Sequence, residues 1–224
     1  MNLRVSEIAV LAVFIASVLI GAYFYPMLPE TIASHWDENG IVNGYMGKFW
    51  ALFLVPMILL GIFAIFAVLP RIDPLKSNIE KFRKHFDIFM VIFALFLLYV
   101  NCLAIIYNLG IKINILQFMA PMMGLLFFYL GVLLKHSSPN WFIGIRTPWT
   151  LSSEEVWNKT HKIGGILFKI SGIITICGTF VPEFAIWLIL APIIASAAIS
   201  MAYSYIAFQG LKGAKKTGKA NKRN

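Results

Sequence analysis

The sequence predicts an all-α integral membrane protein, a bundle of six transmembrane helices, and three observations carry that fold class. Of the 224 residues, 59% are hydrophobic and only 13% are charged, more apolar side chain than a water-facing surface of this size can hide. The apolar residues come in runs of about 20, the length a helix needs to cross the hydrocarbon core, rather than in alternation or a one-sided stripe. The Lys and Arg residues sit in the joints between those runs, the distribution that membrane topology demands. The same distribution argues against direct nucleic-acid binding despite a formal charge of +9. No polar interval reaches the roughly 50 residues of a soluble domain, so residues 1–224 read as one polytopic unit.

The apolar segments, in order, are Ile8–Tyr25, Phe49–Leu69, Phe86–Tyr107, Ile115–Leu134, Gly164–Phe180 and Phe184–Phe208. The first has Arg4 ahead of it like a signal peptide, but its run is long for one and has no clean small-x-small cleavage site. Sixteen Lys and Arg fall on the side of the termini, against Lys48 and Lys112 on the other. That count predicts a plasma-membrane protein with both termini cytoplasmic. The six Trp fall at the ends of spans, where interfacial anchors belong: Trp36, Trp50 and Trp187 outside, Trp141, Trp149 and Trp157 inside. Cys102 and Cys177 lie in apolar runs and read as buried thiols.

Between spans two and three, Asp73-Pro74 predicts a helix start. Leu75, Ile79, Phe82 and Phe86 then recur at helical spacing, with Lys76, Lys81, Arg83 and Lys84 on the other faces. The expectation is a short basic amphipathic helix lying on anionic lipid and feeding into the third span, with a partner-docking helix as the alternative. From Lys212 to the end the chain is Lys, Gly, Ala and Asn, and reads as a disordered basic tail. Prolines recur in the second, fourth and sixth spans at Leu54-Val-Pro-Met-Ile58, Met119-Ala-Pro-Met-Met123 and Leu190-Ala-Pro-Ile-Ile194. They suggest three hairpins, each with a proline-broken second helix.

Two joints are rich enough to carry function. The outer one, Leu28 to Lys48, holds His35, Asp37, Glu38, Asn43 and Lys48 among the turn signals Asn39-Gly40 and Asn43-Gly44. His35, Asp37 and Glu38 hint at a divalent metal. The other histidines are placed about 30 Å away across the bilayer, so the reading is a compact hairpin loop without metal. The inner one, Ser138 to His161, is the longest polar interval. Here Asn140, Gly144, Arg146, Thr147, Trp157 and His161 are the candidate partner-binding residues, with Arg146 and His161 converging on an inward pocket gated by titration of His161; the alternative is that Arg146 meets lipid phosphate or Glu154 and Glu155 while the Trp side chains anchor the loop. Ser152-x-x-Glu155 has the form of a capping box. A helix from there places Trp157, His161, Gly165 and Lys169 on one face, with Lys169 snorkelling to the same mouth. No nucleophile-base arrangement, dinucleotide fingerprint or P-loop is present in the sequence, so neither an enzyme nor a cofactor is expected.

The inner motif Pro139-Asn-Trp-Phe-Ile-Gly-Ile-Arg-Thr-Pro-Trp-Thr, followed by Glu155-Val-Trp157 and Thr160-His161-Lys-x-Gly-Gly, resembles the SdpI-type immunity proteins. The outer motif is similar to the domain of unknown function often found ahead of that region: Leu28-Pro29, Ser34-His35-Trp, Glu38-Asn-Gly40, Gly47-Lys48-Phe and Pro56. Asn43 stands where that likeness implies an acidic residue, against a cation role for the loop. The resemblance divides the chain into an N-terminal hairpin (1–70), an SdpI-like region (71–211) and the tail (212–224). It implies a membrane protein that protects against a secreted peptide toxin and draws a DNA-binding repressor to the membrane. Repeated prolines leave a small transporter or channel as the alternative. Membrane lipids are partners under either reading.

Overall fold

Residues 3–220 are described by a computed structural model, and their order is α1 (Val5–Phe24), β1 (Thr31–Trp36), β2 (Val42–Gly47), α2 (Lys48–Ile72), α3 (Lys76–Asn108), α4 (Ile115–His136), α5 (Pro148–Leu151), α6 (Glu154–Cys177) and α7 (Ala185–Ala220). Every helix except α5 is long and apolar enough to span a membrane, which gives six spans. Each consecutive pair, α1 with α2, α3 with α4, and α6 with α7, packs as neighbours. Contacts of α1 with α3 and of α4 with α6 merge the three pairs into one bundle.

The helices hold together in two different ways. Around α1, α2 and α3, large side chains interlock: Val10, Val13, Leu59, Ile79, Phe82, Phe86 and Met90 are buried together with Leu133 of α4. Between α4 and α6 the backbones themselves approach. A Cβ on Gly131 would stand 2.6 Å from the Gly165 carbonyl oxygen, and one on Gly172 would stand 2.5 Å from that of Gly124. Glycines seven apart on each helix thus meet in antiparallel order, the small-residue packing that helices use in lipid, where apolar burial alone drives little association. Hydroxyls continue the seam from α6 to α7, with Ser171 Oγ 2.7 Å from Ser196 Oγ and donating to the Pro192 carbonyl at 2.9 Å.

Several expectations are corrected. The segment after Asp73 does feed into the third span, as the first three turns of α3, but it does not lie on lipid: Ile79, Phe82 and Phe86 are buried in the core with residues of α1 and α2. Its Arg83 is only 5% exposed and bonds Asp87 at 2.7 Å. Pro56, Pro121 and Pro192 lie inside continuous helices and break none of them. The expected capping box does not form, because Ser153 rather than Ser152 caps α6, accepting from the Val156 N–H, and the residue at N3 is Val156. Neither cysteine is fully buried, and Cys177 is exposed at the end of α6. The chain stays helical to Ala220 where a disordered tail was expected from Lys212. Lys and Ala are strong helix formers, and extending an existing helix needs no new nucleus. Residues 221–224 of that tail lie outside the described residues.

Candidate functional site

The loop from Ser137 to Ser153 closes on itself through Asn140. This side chain is 1% exposed. Its Oδ1 accepts from the Phe142 and Ile143 N–H groups at 2.9 and 2.6 Å, and its Nδ2 donates to the Ser138 and Ile143 carbonyls at 2.9 and 2.8 Å. That is the full bonding capacity of an amide, all of it used to fold the loop back. Gly144 follows with φ +123°, a left-handed backbone that suits glycine. A Cβ there would come 2.5 Å from His161 Nε2.

The turn at Gly144 delivers the Ile145 N–H to His161 Nε2 at 2.9 Å, while His161 Nδ1 bonds the Trp157 carbonyl at 2.9 Å. An acceptor at Nε2 and a donor at Nδ1 define one neutral tautomer. The Trp157 ring stacks on the imidazole with centroids 4.0 Å apart, and its Nε1 donates to the Ser137 carbonyl at 3.1 Å. Trp157 is fully buried and is not an interfacial anchor. Thr147 caps α5, and its hydroxyl lies 3.0 Å from Ser204 Oγ, which ties the loop to α7. Asp73 reaches over from the α2–α3 joint and accepts from the Trp141 N–H at 2.9 Å.

Asn140, Gly144, Thr147, Trp157 and His161 are therefore brought together, as a buried knot and not as an open pocket. Arg146 and His161 do not converge. Arg146 is exposed and donates to the Trp141 carbonyl at 2.6 Å, while His161 is buried. The nearby cavity of about 170 Å³ is lined by apolar groups including Leu133, Ile143 and Phe168. Both ring nitrogens of His161 are committed to backbone partners, so the imidazole is a strut of the loop. The predicted helical face holds, with His161 and Gly165 buried and Lys169 half-buried. Lys169 nevertheless lies about 12 Å farther along the helix than His161.

At the other end of the bundle, the Leu28–Lys48 joint forms the β1–β2 hairpin. Asp37 is a turn residue, its Oδ1 accepting from the Asn39 and Ile41 N–H groups, each at 2.9 Å. His35 Nδ1 bonds Asn43 Oδ1 across the strands, Glu38 is exposed, and Lys48 pairs with Glu30 at 2.9 Å. Among the described residues no group of three or more His, Cys, Asp or Glu could hold a metal.

Sequence reasoning missed what holds the hairpin down. Asn108 of α3 acts like a third strand, its Oδ1 accepting from the Ala33 N–H at 2.8 Å and its Nδ2 donating to the Ala33 carbonyl at 2.9 Å. It also missed Glu7, which is fully buried in α1 and bonded to Arg71 at 3.0 Å, with Arg83 at 3.8 Å. A carboxylate at the edge of an apolar run was the available signal.

Residues 137–204 match the SdpI/YfhL protein family, and residues 12–60 match a domain of unknown function, DUF1648. The immunity protein SdpI of Bacillus subtilis (strain 168) is 24% identical over 212 residues, covering 94% of this chain and 98% of that relative. No solved structure matches the chain.

Proposed function

From the match of residues 137–204 to the SdpI/YfhL protein family and the nearly full-length similarity to an immunity protein, we propose that the chain is a member of that family, confers immunity to a secreted peptide toxin and signals by recruiting a cytoplasmic repressor. The observation that carries the recruiting half is the outer rim of the 137–153 loop. Trp141 is 50% exposed, and the exposed Arg146 is held to it by a bond to the Trp141 carbonyl. An exposed Trp and Arg on a preorganised backbone is the usual make-up of a binding hot spot, since little ordering is left to be done on contact. In this reading the loop end faces the cytoplasm, in keeping with the excess of Lys and Arg there. The hairpin end then meets the toxin, as the similarity to an immunity protein supports. The protein acts by binding and catalyses nothing. The unbroken passage of α2, α4 and α7 through their prolines removes the main motive for a transporter.

Arg146→Ala with Trp141→Ala tests the recruiting half, because both side chains lie outside the buried knot. The double variant is expected to accumulate as normal folded protein and retain toxin resistance. Its co-sedimentation of the repressor with membranes should fall at least about tenfold, the loss of one modest hot spot. Undiminished recruitment would overturn that half. Unchanged sensitivity of a deletion strain to co-occurring peptide toxins would overturn the immunity half.

A further inference from the structure

A cavity of about 150 Å³ lies between the β-hairpin and the facing sides of α2 and α3. Its walls are mostly apolar, including Ile32, Leu52 and Val55, and two of its lining residues carry buried nitrogens without a hydrogen-bond partner among the described residues: Trp36 Nε1 and Asn101 Nδ2. Asn101 is 2% exposed. It sits about 10 Å below the end of α3, well inside a span. Buried polar groups in folded proteins are almost always paired, so two orphans on one cavity call for an explanation.

We propose that this cavity is a binding site for a neutral carbonyl compound with a compact apolar body. The Trp36 indole sets the polarity of the occupant. An indole N–H only donates, so an occupant that meets it must accept, and Asn101, whose amide is bonded at neither end among the described residues, has an Nδ2 that can donate to the same group. No Lys or Arg lines the space, and an anion buried there would have no counter-charge. A metal ion or an ammonium group would face the Trp36 donor, and no carboxylate lines the space to balance its charge. The volume holds a guest of about benzene size. Together these features describe a ketone, ester or amide oxygen on a small ring or branched chain. Its source is either a free molecule or the ester end of a bilayer lipid.

The full chain is purified in a maltoside detergent, which has no carbonyl, with ¹⁵N in its Trp indoles. Trp36→Phe identifies the Trp36 signal. Cyclohexanone is expected to move that signal saturably, and cyclohexane, equal in shape but without an acceptor, to bind at least about tenfold more weakly. Asn101→Leu should shrink the difference between the two probes, leaving the part that the Trp36 N–H supplies. Ester-linked phosphatidylcholine that produces the same shift, competed by cyclohexanone where its ether-linked analogue does nothing, assigns the site to lipid. A shift with the ketone alone assigns it to a free ligand. No saturable shift from ketone or ester lipid, as for a space that holds only water, overturns the proposal. So does an equal response to cyclohexanone and cyclohexane. Both of these outcomes are read on the wild-type chain, so the proposal stands or falls even where Asn101→Leu folds poorly.

Discussion

The two ends of the bundle use polar side chains in opposite ways. At the loop end, Asn140 makes four hydrogen bonds and His161 two, all to nearby backbone. At the hairpin end, Asn101 and Trp36 line a cavity, and their buried nitrogens have no hydrogen-bond partner among the described residues. The motif that is densest in sequence is thus a scaffold, whose exposed rim is left for contact. The opening suited to a small guest is lined by residues 65 positions apart in the chain. Clustering in sequence marks where a loop must hold its own shape, because short-range polar bonds are what shape a loop that has no helix or sheet ladder to satisfy it.

The comparison breaks most severely at Gly144. Gly144→Val forces a branched residue into φ +123° and drives its Cβ against His161 Nε2. Backbone strain plus the loss of the buried Ile145–His161 bond is expected to cost at least about 3 kcal/mol. Thermal unfolding in detergent should show the lowest midpoint of any variant named here, and a midpoint near that of the wild type would refute the knot.

Asn140→Leu comes next. It keeps volume but removes four bonds and leaves the Phe142 and Ile143 N–H groups unmet, for a loss of roughly 2–4 kcal/mol. Asn140→Asp separates the two halves of the amide. It retains both acceptor bonds and loses both donor bonds to the Ser138 and Ile143 carbonyls, so its midpoint should fall between Leu and wild type. Equal effects of Leu and Asp would mean that only the donor half matters.

The spans are legible in the sequence because a run of about 20 apolar residues has few other uses. The knot is legible as a cluster because its members lie within about two dozen residues of one another, the span over which local polar bonds can shape a loop. Which apolar face meets protein and which meets lipid is not legible, since in a bilayer both neighbours are equally apolar. That is why Ile79, Phe82 and Phe86 read as a lipid-facing stripe and prove to be core. Partnerships across helices leave no periodic trace either. Glu7 with Arg71, and Asn108 with Ala33, join residues 64 and 75 apart.

The smallest expected effect sharpens the contrast, because it separates the hairpin from the bundle that carries it. Asn108 pairs with both backbone groups of Ala33 and also donates to the Ala104 carbonyl of its own helix. In Asn108→Ala the α3 backbone keeps its ladder, so the helix loses nothing it needs. The hairpin loses its two bonds to α3, about 1–2 kcal/mol of local stability. A two-stranded hairpin is marginal on its own, so that loss should appear as faster hydrogen exchange across β1 and β2 while α4 and α6 exchange as before. The cavity beneath would open with the hairpin, and its discrimination between cyclohexanone and cyclohexane should weaken without any change at Asn101. Exchange that quickens equally in α6 would show that the two ends share one cooperative unit, and the division of labour between them would fail.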